Sequence, residues 1–294
     1  MEIFGTWSEP VVRFAVFAAV LLTMAALELM VPKRALTSAK ATRWLTNFSI
    51  VSLATLLVRA MAGLPRLVAP TLLPLTAVAA ALWAEKAGVG LLPWLGQALG
   101  LPHWLLVLKA IIILDFAIWL QHVISHKVPA IWAFHQVHHA DRDFDVTTAV
   151  RFHPVEIALS MLYKMVWVVA LGVPPLAVVL FEMILNAGAM FNHANVALPG
   201  WLDRVLRLVI VTPDMHRVHH STLRAEHDSN YGFSLSVWDR MAGTYTDQPA
   251  GGHQGMTIGL AAYQTDAPTR LGWSLAVPFR LSPARAKNIH DVSS

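Results

Sequence analysis

Residues 134–143 read FHQVHHADRD and residues 212–220 read TPDMHRVHH. Each stretch packs three imidazoles into five positions, His135, His138 and His139 in the first, His216, His219 and His220 in the second. Just upstream, QHVISH sets His122 and His126 four apart. On a helix, offsets of three and four share a face, so three short helical pieces each present a wall of imidazoles. Neutral imidazole is a ligand for zinc and iron alike. These eight side chains exceed what one tetrahedral zinc can use and suit two metals with positions left open. The chain has no cysteine, which excludes thiolate zinc sites, cysteine-held iron–sulfur clusters and thiol nucleophiles. Any metal here is held by nitrogen and oxygen.

Other residues join by position. His193 in FNHANV falls where an apolar hairpin ends, and is read as a further ligand. His153 in RFHPVE stands at a bend before Pro154, where a turn residue and a ligand are equal readings. His227 lies in a polar loop and is read as a non-ligand, and the isolated His103, His253 and His290 as surface or interfacial residues. Ligating imidazoles pass their second N–H to a carboxylate or carbonyl; Asp141, Asp143, Asp145, Glu156, Asp214 and Asp228 are near enough in sequence. Asp115 lies two helical turns before His122 inside an apolar run, where a carboxylate usually faces a site or partner. The same argument touches Glu182 and Asn186.

The elements that carry these residues are apolar. The chain is 56% hydrophobic and only 14% charged, against roughly 25% charged in soluble domains, so a membrane protein is the natural class. The formal charge of +4 comes from scattered Lys and Arg, which argues against nucleic acid as a partner and for contact with anionic lipid head groups. Spans are predicted over 11–31, about 45–62 and 103–121, with a hairpin of 157–171 and 174–193. The segment 63–100, broken by prolines and glycines, is read as interfacial or re-entrant. Lys33, Arg34, Lys40 and Arg43 follow the first span and place that end in the cytoplasm; counting spans then puts the histidines there too. The predicted fold is all-α: a multi-span membrane helical bundle with a cytoplasmic helical cap carrying a histidine-rich di-metal site. Residues 1–100 form the N-terminal spans and interfacial segment, 101–246 the catalytic region and 247–294 a polar C-terminal tail. The stretch from about 197 onward is polar enough to sit in water.

In order, LDFAIWLQHVISH, FHQVHHADRDFDVTTAVRFHPVE, FNHANV and MHRVHHSTLRAEHDSNYGFSLSVWDRMAGTY resemble the fatty acid hydroxylase/sterol desaturase superfamily over about residues 110–246. The resemblance implies an integral membrane enzyme with two non-haem iron ions, using O2 and external electrons on a lipid C–H bond. Its ligand positions fall on His122, His126, His135, His138, His139, His193, His216, His219 and His220, with His153 matching a histidine of less defined role. Asp115, Asp145 and Glu156 are candidates for supporting contacts, and WDRMAGTY is expected to cap the site. Many relatives carry Arg where this chain has Val123. The gap from His126 to His135 is short, as in sterol-type and alkylglycerol-type relatives. The implied partners are a lipid (sterol, fatty acyl, ornithine-lipid or glyceryl-ether) and a separate reductase, ferredoxin or cytochrome.

Three other readings exist. A zinc hydrolase is disfavoured by the excess of ligands and by the missing HExxH. The same centre could desaturate rather than hydroxylate. A metal transporter or sensor could also gather histidines, but its site is expected near the bilayer midplane, whereas these clusters sit at span ends.

Overall fold

The computed structural model describes residues 8–68 and 75–280. Among them the chain is helical, with isolated bridges and no extended strand. Five helices are long and apolar enough to cross a membrane: α1 (Glu9–Met30), α2 (Lys40–Val68), α5 (His103–Lys127), α7 (Pro154–Leu171) and α8 (Pro175–Asn192). At about 1.5 Å per residue they match a hydrocarbon core of about 30 Å. Between them lie α3 (Ala77–Ala87) and α4 (Leu91–Leu99), too short to cross, and α6 (Pro129–His139). Beyond α8 come the short helices α9 (Gly200–Leu206), α10 (Pro213–His219), α11 (Arg224–His227), α12 (Val237–Ala242) and α13 (Gly252–Gly255), then α14 (Leu271–Arg280). The protein is an integral membrane helical bundle.

The predicted hairpin is present. α7 ends at Gly172, whose φ of +63° is left-handed, and Pro174 and Pro175 start α8. That turn takes α3 and α4 against it, with Gly90 and Gly172 so close that a Cβ on either would overlap the other's backbone. Within the segment 63–100, α3 and α4 therefore pack at the end of the hairpin opposite the histidines, and residues 69–74 lie outside those described. The main apolar core lies between α3, α5, α7 and α8, from Ala81 and Leu114 to Val168 and Phe181.

Charge joins the apolar packing of Val146 and Ala149 in tying the loop after α6 to the bundle. Arg43, 1% exposed, donates from Nε and Nη2 to both Asp141 oxygens at 2.7 and 2.9 Å and from Nη1 to Asp145 at 2.7 Å. Arg151 reaches Val137 O, Asn47 Oδ1, Pro268 O and Ser274 Oγ. Glu28 of α1 accepts from the backbone N–H of Val146 and Asn195 at 2.6 and 2.9 Å. Burial raises the Asp141 carboxyl, but Arg43 and Arg151 outweigh it and bring it to about 2. Arg43, one of the basic residues that follow the first span, is surrounded by three aspartates of the loop. Within the polar C-terminal stretch, Ser274 and Val277 of α14 are buried against α2 and α6.

Replacing Arg43 by Met leaves buried carboxylates unpaired, a loss of about 3–5 kcal/mol. The R43M protein is expected to unfold in detergent at a clearly lower temperature than its parent, with R43K between them. An unchanged midpoint for R43M would show that the network carries no stability.

Candidate metal centre

Local helix rules sort the histidines. Pro129 starts α6 immediately after Val128 caps α5, so the chain turns sharply and α6 folds back on the last turn of α5. His135 and His139, four apart, face α5, while His138, offset by about 100° per residue, points elsewhere. α10 repeats the device: Thr212 caps it, accepting from Met215 N, with Pro213 in its first turn. Here His216 and His220 form the four-apart pair and His219 points the other way. Two groups result, His122, His126, His135, His139 and His219 in one, His138, His193, His216 and His220 in the other. Within each, one nitrogen per residue lies within 4.8 Å of all the others. The groups adjoin, with the His139 and His220 rings 4.5 Å apart between centroids.

Every histidine expected as a ligand is therefore in one of two touching clusters, apart from His153. That residue caps α7, accepting from Val155 N, and its Nε2 faces Leu275 O at 3.4 Å. It stands outside both groups, which favours the turn-residue reading.

Tautomers explain why the clusters suit a cation. His122 Nδ1 donates to Tyr231 O at 2.7 Å, His219 Nδ1 to Ser229 O at 2.6 Å and His135 Nδ1 to Glu156 Oε1 at 2.6 Å. In the neutral ring that binds metal, each Nδ1 then holds the hydrogen and each Nε2 presents a bare lone pair. Yet His122 Nε2 lies 3.1 Å from both His135 Nε2 and His219 Nε2. Facing lone pairs at that distance repel; they are not hydrogen bonds. Metal–nitrogen bonds of about 2.1 Å at right angles would give an N···N edge of about 3.0 Å. In the second group His193 Nδ1 donates to Ala189 O at 2.7 Å, leaving Nε2 3.2 Å from His138 Nε2. His126 and His220, both buried, have no hydrogen-bond partner on either ring nitrogen, a costly state unless something else is bound.

Electrostatics agree. Burial first, and neighbouring imidazoles second, push His138, His139, His216 and His220 well below the usual range. His193 falls to about 4 for the same leading reason, burial. All are neutral at physiological pH, the form that binds metal.

Of the acids expected to support ligands, Glu156 does so directly. Asp145 bonds Arg43, Trp44 and Thr147 instead, and Asp115 accepts from Trp238 Nε1 at 2.8 Å and Leu235 N at 3.2 Å, so neither touches a histidine. WDRMAGTY acts one step removed: Asp239 accepts from the N–H groups of Tyr231 and Gly232 at 2.9 and 2.8 Å. Between the carbonyls of Ser229 and Tyr231 sits Asn230 with φ +51°, bonded to Met215 O and Thr246 O. Asn230 and Asp239 thus aim two carbonyls at two imidazoles. The only sequence signal for this was Asn, a residue that tolerates left-handed backbone.

His227 differs from expectation. It is buried, with its ring 4.4 Å from His139 and 4.7 Å from His126 between centroids, but its nitrogens fall outside the five-member set. Aromatic side chains complete the enclosure: Trp132 beside His126 and His139, Phe152 stacked on His138, Phe144 beside His193 and His220, and Phe233 beside His122. His103 is exposed, His253 lies 3.6 Å from Asp214, and His290 lies outside the described residues.

The fatty acid hydroxylase family model matches residues 107–244. This region belongs to the fatty acid hydroxylase superfamily. The chain is 29% identical over 144 residues to an ornithine lipid hydroxylase of Rhizobium tropici, covering 49% of this chain and 42% of that protein. It is 31% identical over 138 residues to the alkylglycerol monooxygenase of Homo sapiens, covering 45% and 28%. To the cholesterol 25-hydroxylase of Rattus norvegicus it is 27% identical over 154 residues, covering 49% and 47%. The chain thus spans less than half the length of each of these relatives. No solved structure matches it significantly.

Two outcomes are expected. Removing the acceptor in Glu156→Ala releases the His135 tautomer, so one metal per chain should be lost to a competing chelator at about 10–100-fold lower concentration; equal retention would remove Glu156 from the site. The second concerns metal-free protein in detergent. The folded pKa of His193 is depressed from 6.5 to about 4, so between those values the unfolded chain takes a proton that the folded chain refuses. Stability is full above pH 6.5 and falls as pH drops toward 4. A melting temperature constant from pH 7 to pH 5 would contradict the neutral cluster.

Proposed function

We propose that this protein is an O2-dependent di-iron oxygenase that hydroxylates an aliphatic C–H position of a membrane lipid. The observation that carries the reading is the pair of adjoining buried imidazole groups, five and four strong, at one end of the membrane-spanning helices. The donor set is nitrogen throughout, a set that suits iron. When bound, two irons would supply the activation of O2. His122, His126, His135, His139 and His219 would hold one, and His138, His193, His216 and His220 the other.

The protein's own part is positional. Glu156 and the carbonyls of Ser229, Tyr231 and Ala189 keep protons on Nδ1 of His135, His219, His122 and His193, so that Nε2 of these four rings stays available. Phe144, Phe152 and Phe233 keep water from the cluster, and the flanking spans present a lipid chain to it. Overall, one oxygen atom enters the C–H bond and the other leaves as water, with two electrons and two protons supplied from outside. A separate reductase, ferredoxin or cytochrome delivers the electrons, in keeping with a chain that has no cysteine for a cluster of its own.

Hydroxylation is preferred to desaturation because the named relatives are lipid hydroxylases and monooxygenases. Ornithine lipids, alkylglycerols and cholesterol all bring an aliphatic chain or ring from the bilayer, and that class of substrate is the one proposed. Lys33, Arg34 and Lys40 at the histidine end of α1 and α2 support a cytoplasmic metal site. Residues 101–246 are the catalytic region, with 1–100 as its membrane anchor and 247–280 packed onto both.

The test is O2 uptake by iron-loaded protein in lipid vesicles with a chemical reductant, followed by mass spectrometry of the lipids. A lipid gaining one oxygen atom is expected, and none with His138→Ala. Loss of two hydrogens would mean desaturation; O2 uptake without lipid product, or full turnover by His138→Ala, would overturn the assignment.

A further inference from the structure

Six large apolar side chains form an exposed patch beyond the five spans: Trp201 and Val205 on α9, Leu208 and Val209 after it, and Val237 and Met241 on α12. Trp201, Leu208 and Met241 are 68%, 64% and 75% exposed. The elements are joined. Ser236 donates from N to Val209 O at 3.0 Å and from Oγ to Arg207 O at 2.8 Å, and Arg240 Nη2 donates to Arg207 O at 3.0 Å. Patches of this size on a polar region mark a contact surface.

The helices that carry the patch are pinned at defined places on the bundle. Trp238 Nε1 donates to Asp115 at 2.8 Å, Trp119 Nε1 donates to Asp239 at 3.1 Å, and the Phe116 and Trp238 rings meet at 5.2 Å. α12 thus lies beside residues 115–119 of α5, on the membrane side of His122. By contrast α11 is tied to the far end of α5, with Asp228 2.9 Å from Lys127 Nζ. Along α5 the two attachments differ by eight to twelve residues, about 12–18 Å at about 1.5 Å per residue. α9 has its own anchor: Ala197 N donates to Val31 O at 2.8 Å, at the exposed apolar end of α1 formed by Leu29 and Met30.

We propose that α9, the turn after it and α12 form a foot embedded in the lipid leaflet on the histidine side, rather than part of a cap standing in water. Two features select lipid as the occupant. The patch continues the lipid-facing surfaces of α1 and α5, and the exposed Arg204 and Arg240 sit on the same two helices, where phosphate head groups would meet them. The segment between foot and cluster carries Phe233, whose ring lies 4.9 Å from His122, so the leaflet is brought within one side chain of the imidazoles.

The chain has no cysteine, so Leu208→Cys, Met241→Cys, Trp201→Cys and Ala225→Cys each introduce a single thiol for a nitroxide label. Full-length protein in phosphatidylcholine–phosphatidylglycerol vesicles is then examined by power-saturation EPR with O2 and with a water-soluble nickel complex. Labels at 201, 208 and 241 are expected to collide more with O2, and the label at 225, on α11, more with nickel. Nickel-dominated collisions at 208 and 241, or shielding from both reagents as under a partner protein, would overturn the foot. The measurement needs neither iron nor turnover, so it stands or falls apart from the proposed reaction.

Discussion

Bare imidazole lone pairs aimed at one another are the constraint on which this structure turns. In their neutral forms His122, His135 and His219 each donate an Nδ1 proton to an oxygen behind them, and His122 Nε2 lies 3.1 Å from Nε2 of both others. Water and protons could relieve such a cluster only partly, because burial opposes charge on every ring. A cation relieves all the repulsions at once. The remaining architecture supplies what keeps the rings from relaxing apart: helix ends that cannot unwind, backbone carbonyls that hold the tautomers, and a membrane on one side.

That rigidity has a layered origin. Proline starts α6 and α10, so the spacing of their histidines becomes direction in space. Behind the rings, Asn230 and Asp239 fix two carbonyls, and Glu156 fixes the third acceptor. Farther out, Arg43 and Glu28 lash the loop after α6 to the first two spans, and Lys33 reaches Asp214 of α10 at 2.6 Å. Charges that might look topological thus also work as braces. A buried ion network of this kind specifies one arrangement more than it adds stability.

What was legible in sequence follows from locality. The spans are legible in runs of apolar residues and the histidine motifs in their spacing, although the offset of three divides His138 from His135 and His219 from His216 between the two groups. His193 was found because a hairpin had to end near it. Non-local pairings left no such trace. Arg43 meets Asp141 across 98 positions, and by composition alone it is one more basic residue after a span. His227 lies on the short helix α11, outside the three histidine motifs, and its contact with the cluster is not encoded in their spacing. The region after residue 197 reads as polar from its composition; its contacts to α5, through Trp238 and Asp239, are not encoded in spacing.

The most direct test of this account is metal stoichiometry with X-ray absorption on iron-loaded protein in detergent. The expected result is two irons per chain, each surrounded by imidazole nitrogen, with His138→Ala depleting one and leaving the other. A single metal per chain, or a first shell dominated by carboxylate oxygen, would mean that the paired rings do not hold what their geometry implies.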